Sequence, residues 1–303
     1  MTKSKSKKNS KKRGKGPKNS KKSQKSSKPE KTKKTNKKFN KIVKDIKNIK
    51  IQGARNVAKA ALNAYFLKKT KSAKKKLLSS RPTEPMMQKV LQKADKTPKK
   101  ELLAHFDIAQ EEINKHALKI IKNGDIIFTH CHSTNVSNAL IHAKKQGKKF
   151  QVYNTETRPL YQGRKTAKEL RKAGIKVTMF ADSALGVALS KEQGTKKADK
   201  VFLGADALLK KGVINKIGSE VIAQIAKNNK IPVHIVADSW KFTKKDIPME
   251  QRKLNEIWDR APKNIKIKNP AFEFVPKKYI KTIISELGNL KYSDFVKKVS
   301  KKK

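Results

Sequence analysis

Gly124-Asp-Ile-Ile-Phe-Thr-His-Cys-His-Ser-Thr-Asn135 decides how the rest of the chain is read. Asp125 to His130 makes a short apolar strand. Ser133, Thr134 and Asn135 are residues that cap helix starts, and Val136, Leu140 and Ala143 then recur on one helical face. At the junction sits Cys131, the only cysteine in the sequence. A lone thiol cannot close an internal disulfide, so it is core filler or chemistry. In an open α/β sheet the turn leaving the carboxyl end of a strand is where ligands bind. The helix start adds unpaired N–H groups and a positive dipole end, which suit a phosphate and lower a thiol's pKa. The position favours chemistry.

Downstream of this junction strand and helix alternate. Strands are expected at 125–130, 150–153, 175–180, 200–203 and 231–237, with helices near 136–147, 161–173, 183–192 and 215–228. The Ile-Ile-Phe and Val-His-Ile-Val runs carry β-branched residues on both faces, as buried parallel strands do. Right-handed crossovers then give an α/β fold, a Rossmann-like doubly wound parallel sheet over 123–290. No strand is followed by Gly-x-Gly-x-x-Gly, which argues against a dinucleotide site. Residues 269–276 and 279–287 read as a closing strand and helix, and 291–303 as a basic C-terminal end.

Upstream, Ile42, Val43, Ile46 and Ile49 fall at helical spacing, as do Val57, Ala60, Ala61, Ala64 and Tyr65. A further helix runs from about Pro98 through Leu102, Phe106 and Ile113 to Ile121, making 39–122 a helical N-terminal domain. Residues 1–38 offer almost nothing apolar to bury and are expected to be a disordered basic tail. Residues 1–40 hold 18 Lys or Arg and one acid, yet most of the net charge of +53 is scattered over helix faces and loops. Nucleic-acid binding usually concentrates charge in a stripe with interleaved aromatics. The tail is therefore expected to give at most weak, non-specific nucleic-acid contact.

No apolar run reaches the roughly 18 residues that span a bilayer, and no apolar stretch follows the basic N-terminus as in a secretory signal. With a single cysteine, this points to the cytoplasm. His130, Cys131 and His132 do not make a metal set, because adjacent strand residues face opposite ways and no spaced His or Cys pair completes a tetrahedron. A structural role suits each histidine better than that of a base for the thiol.

Other polar groups gather at strand ends. Asp206, in Leu203-Gly-Ala-Asp206, either faces a ligand or caps the next helix. Asn215-Lys-Ile-Gly-Ser219 reads as a helix start suited to phosphate. Lys241 follows the fifth strand, and in so lysine-rich a chain carries little weight alone. Gln52-Gly-Ala-Arg55 and Ser80-Arg-Pro-Thr83 are turns holding Arg55 and Arg81.

Thr129-His-Cys-His-Ser133, Tyr153-Asn-Thr-Glu-Thr-Arg-Pro159, Gly204-Ala-Asp206, Ile214-Asn-Lys-Ile-Gly-Ser219, Trp240-Lys-Phe242 and Asn269-Pro-Ala-Phe272 occur in that order. Together they resemble the superfamily that joins sugar-phosphate isomerases to the regulatory subunits of translation initiation factor 2B. Within it the archaeal ribose-1,5-bisphosphate isomerases of nucleotide salvage are most similar. The resemblance implies an aldose–ketose isomerase without metal or organic cofactor, with Cys131 as the proton-transferring base and Asp206 as the proton donor. It implies substrate contacts from Gln52, Gly53, Ala54, Arg55, Arg81, Ser133, Thr134, Asn135, Asn215, Lys216 and Lys241, and assembly as a homo-oligomer, a dimer or trimer of dimers. Where the family turn reads Arg-Gly-Ala, this chain has Gln52. The rival readings are a methylthioribose-1-phosphate isomerase, on the same pair of residues, and a non-catalytic regulatory protein.

Overall fold

The structure, a computed structural model, describes residues 28–191 and 194–301. Its N-terminal part is five helices: α1 (Lys28–Lys47), α2 (Ala54–Leu67), α3 (Lys71–Ser80), α4 (Pro85–Lys93) and α5 (Lys99–Leu118). Phe39, Val43 and Ile46 dock α1 on Val57, Ala61 and Leu62 of α2 and on Leu77 of α3. The basic tail was expected to reach residue 38; residues 1–27 lie outside the described residues, but 28–38 are helical. The apolar stripe from Phe39 seeds the helix, and lysine, a good helix former, lets it run back into solvent. Asn36 is tied to Lys68 Nζ at 3.1 Å.

Seven strands form the main sheet, in the order β10-β9-β7-β4-β1-β2-β3: β1 (Ile126–Thr129), β2 (Gln151–Thr155), β3 (Lys176–Phe180), β4 (Lys200–Leu203), β7 (Val233–Val236), β9 (Thr282–Ser285) and β10 (Gly288–Lys291). All pairings are parallel except that of β10 with β9. Alternation along β1 fills both faces. Ile126 and Phe128 pack with Val201, Leu203, Val233 and Ile235 under α9 (Ser219–Asn228), whereas Ile127 packs with Val152, Phe202 and Val236 under α6 (Thr134–Lys145) and α7 (Gln162–Lys172). The second half of α5, through Ile113 and Ala117, belongs to this second face. One helix thus serves both the helical part and the sheet.

The chain leaves β1 for β2 and β3 on one side, then returns across β1 to β4 on the other. The carboxyl ends of β1 and β4 therefore flank the switch point, where an open α/β sheet leaves a crevice. A second sheet, β5 (Ala207–Leu208), β6 (Gly212–Lys216) and β8 (Phe272–Pro276), stands over that crevice. It corrects one expectation: Asn215 and Lys216 end a strand, and the helix expected from 215 begins at Ser219, after Gly218 at φ 100°.

The helix expected at 279–287 is also absent. Ile280, Ile283, Ile284 and Leu287 have helical spacing, but Ile283 and Ile284 are the two faces of β9, buried on both sides beside β7. The basic end at 291–303 is in fact α10 (Tyr292–Lys301), whose Phe295 is fully buried and whose Tyr292 hydroxyl donates to Leu209 O at 2.7 Å. Phe295→Ala should therefore lower unfolding stability by about 3–5 kcal/mol, read as a shift in the denaturant midpoint; an unchanged midpoint would return this segment to a mere charged end.

Candidate active site

Two adjoining cavities open at the switch point, and between them they are lined by Cys131, Asp206 and all eleven other residues singled out from the sequence. Gln52, Gly53, Ser133, Asp206 and Asn215 line both. They meet where β1 and β4 part. There Gly204 lies so close to Ser133 that a Cβ on it would come within 2.7 Å of Ser133 Cβ and Oγ. Only glycine lets the two strand ends approach this closely.

One cavity is a cradle of helix starts. Ala54 and Arg55 open α2, whose N-cap Gly53 offers no side chain, and Thr134 and Asn135 open α6, capped by the Ser133 hydroxyl. Lys241 and Lys165 add cations. Lys241 is buried on the turn after β7 and donates to Ala205 O at 2.6 Å, so it reaches back to the strand end that carries Asp206. His105 on α5, stacked on Trp240 at 3.5 Å and paired with Asp238 at 3.2 Å, fixes that turn. Arg55 is paired with Asp107 on α5. First-turn N–H groups from two helices together with buried lysine make an anion site.

The other cavity holds the chemistry-bearing groups. Cys131 sits beyond β1 in the left-handed region (φ 64°), its N–H donating to Thr157 Oγ1 at 3.0 Å and its carbonyl accepting from Thr166 Oγ1 at 2.8 Å. Such a backbone is uncommon without glycine and marks a position held by its surroundings. The thiol pKa expected from the sequence is corrected here. Burial pushes it up to about 12, against the lowering by the His132 backbone N–H and Lys216, while Asp206 and Asp182 push it further up. Desolvation is the largest of these causes. Asp206 is likewise shifted up by burial, with Lys241, Arg81 and Lys216 opposing. Lys216, 6% exposed, is shifted down by burial.

His130 lines this cavity but is spoken for. Its Nδ1 meets Thr155 Oγ1 at 2.6 Å and its Nε2 meets the Ile217 carbonyl at 2.8 Å, and burial drops its pKa to about 4. Nε2 therefore carries the proton and the ring is neutral. His132 meets Thr166 Oγ1 at 3.1 Å. Among the described residues no group of three His, Cys, Asp or Glu is arranged to hold a metal.

Three lining residues were not legible in sequence: Glu84, Arg252 and Glu256. Asn215, whose Nδ2 donates to Ser219 Oγ at 2.8 Å, stands opposite Glu273 in the β6–β8 ladder. Arg81 is buried and paired with Glu84 (3.5 Å) and Glu250 (3.2 Å); Arg252 joins Glu250 (3.4 Å) to Glu256 (2.9 Å). Glu156 pairs with Arg164 at 3.0 Å.

The fold of helices followed by a doubly wound sheet agrees with the comparisons to known proteins. The chain belongs to the Initiation factor 2 subunit family, whose profile matches residues 18–292. It is 36% identical over 276 residues to the ribose 1,5-bisphosphate isomerase of Methanocaldococcus jannaschii, covering 79% of this chain and 87% of the relative. It is 33% identical over 274 residues to the methylthioribose-1-phosphate isomerase of Thermosipho africanus, covering 78% of each. The crystal structure of a Pyrococcus horikoshii translation initiation factor eIF-2B superposes with a TM-score of 0.74 at 26% identity, covering 84% of this chain and 96% of that one. No described helix is long and apolar enough to cross a membrane.

Gly204→Ala should push Ser133 off the α6 start, costing about 1 kcal/mol of capping, and part the two cavities. A drop in affinity for inorganic phosphate with only a small fall in melting temperature is expected; unchanged phosphate binding would show that the close approach does not shape the cradle.

Proposed function

We propose that this chain is an aldose–ketose isomerase that converts ribose 1,5-bisphosphate to ribulose 1,5-bisphosphate and serves nucleotide salvage. The observation that carries the reading is the convergence of Cys131 and Asp206 on one cavity wall beside a two-helix anion cradle. The similarity to a ribose 1,5-bisphosphate isomerase supports the substrate.

The chemistry follows from the substrate. Its C1 carries a phosphate ester, so the ring cannot open to a free aldehyde. Asp206 gives a proton to the ring oxygen while the Cys131 sulfur takes the proton from C2. The C2–H electrons form the C1–C2 double bond and the C1–ring oxygen bond breaks, leaving an enol phosphate. The sulfur returns its proton to C1 as Asp206 recovers one from the C2 hydroxyl, and the ketose results with both groups restored.

The raised thiol pKa fits a pair that shares one proton. Burial is the main cause that holds the thiol protonated, and the charge of an ionised Asp206 adds to it; moving the thiol proton to Asp206 removes that added charge and leaves a thiolate facing the Lys216 ammonium. The reactive form thus has the same proton count as the resting form. Turnover should fall where pH adds a second proton to the pair or removes the shared one.

A second reading, a methylthioribose-1-phosphate isomerase, is favoured by one feature: Arg81 is accompanied by Glu84 and Glu250, so the far end of the site carries little net positive charge. Assays on both sugar phosphates separate the two. In either case Cys131→Ser should abolish isomerisation with the melting temperature nearly kept, since a hydroxyl is too weak an acid to act as the base. Asp206→Asn should do the same, and the double variant should be scarcely slower than either single one. Near-native turnover in Cys131→Ser would overturn the mechanism.

A further inference from the structure

The cavity that holds Cys131 and Asp206 contains three buried polar atoms without hydrogen-bond partners among the described residues: Arg81 Nε, Arg81 Nη1 and Glu84 Oε2. Both side chains line the cavity that holds Cys131 and Asp206, and both residues are more than nine-tenths buried. Unpaired donors and an unpaired acceptor in one wall of a cavity are costly to keep without a ligand. The sequence explains their placement. Arg81 ends α3, Pro82 and Thr83 turn the chain, and Glu84 precedes Pro85 at the start of α4, so the two side chains share one wall. The Arg81 Nη2 is held by Glu250, which also accepts from Thr83 Oγ1 at 3.4 Å and is tied to Arg252. Arg81 is thereby fixed, with Nε facing Glu84 Oε1 at 3.5 Å and Nη1 uncommitted.

We infer that Glu84 is a specificity-determining residue: it faces the substrate group held by Arg81, and it admits a second phosphate there only with a proton on its own carboxyl. This rests on the isomerase reading for the substrate but is tested apart from it. A phosphate dianion accepting from Arg81 Nη1 brings its oxygens beside Glu84, which already faces Nε. An ionised carboxylate would repel it, whereas a protonated one donates a hydrogen bond to it. The groups that face Glu84 are Arg81 and Lys241, which favour its charge, and Asp206 and Glu250, which oppose it. Burial outweighs them all and lifts its pKa to about 7, so the carboxyl is poised to take up a proton when an anion arrives. A sugar bearing only the cradle phosphate places no second dianion against Glu84 and meets no such toll. Glu84 therefore sets how strongly the site prefers one phosphate or two, and makes the preference depend on pH.

The sign follows from linkage. The complex with a bisphosphate holds Glu84 protonated, and the free protein loses that proton as pH rises through about 7. Bisphosphate affinity should then fall about fivefold from pH 7 to pH 8, approaching tenfold per unit above that. The phosphates themselves, with second pKa values near 6, are already dianionic there.

The test uses two polyols that cannot isomerise, ribitol 1,5-bisphosphate and ribitol 1-phosphate, with binding to the full chain measured by calorimetry between pH 7 and pH 8.5. For the native chain the bisphosphate should weaken with pH while the monophosphate stays level, and close to one proton should be taken up per bisphosphate at pH 8, read from two buffers of different ionisation enthalpy. In Glu84→Gln the two ligands should show parallel pH profiles and the proton uptake should vanish. Parallel profiles and no uptake in the native chain would overturn the inference, as would an unchanged bisphosphate profile in a folded Glu84→Gln. The uptake measurement needs no variant, so a misfolded Glu84→Gln leaves the inference exposed to it. Because neither ligand turns over, failure here is distinct from failure of the isomerase, which only a turnover assay reveals.

Discussion

Everything in the site hangs on the close approach of Gly204 to Ser133. The sheet reverses its order between β1 and β4, and two strand ends that diverge there leave a crevice. With no Cβ on Gly204, the Asp206 strand end lies against the start of α6. That contact sets the anion cradle and the thiol–carboxyl pair on adjoining walls. The layers behind it are built to hold it still. β1 is buried on both faces, and α5 ties the helical part to the sheet through Phe106 at one end and Ile113 at the other.

Burial is the second organising force, and it acts on charge. Cys131, Asp206 and Glu84 are all displaced toward their neutral forms, and Lys216 as well, with desolvation the largest cause in each. In the proposed reaction it is this near-neutral set of groups that passes protons to and from the sugar. It also leaves cationic strength to the cradle, where helix N-termini supply partial charges that cannot be titrated away.

Much of this was legible in the sequence. The sequence pattern located five of the six parallel strands of the main sheet, β1, β2, β3, β4 and β7, to within a few residues; β1, β4 and β7 stand out most because strands buried on both faces are largely apolar throughout. Residues 279–287 were misread because Ile280, Ile283, Ile284 and Leu287 satisfy the helical period equally well, and only pairing with β7 decides for a strand. The 207–216 hairpin was missed because its first strand, of two residues, leaves too short a pattern. The candidate site residues were legible through family resemblance and come together around the crevice. Glu84 was not, since an acid before Pro85 looks like an ordinary helix-start residue. Its burial against Arg81 exists only in the fold.

The most direct test of the account is to incubate the purified full chain with ribose 1,5-bisphosphate and follow the C1 and C2 carbons by 13C NMR. The account predicts loss of the C1 acetal signal and appearance of a C2 ketone, the signature of ribulose 1,5-bisphosphate. Binding of the sugar with both signals unchanged would contradict it.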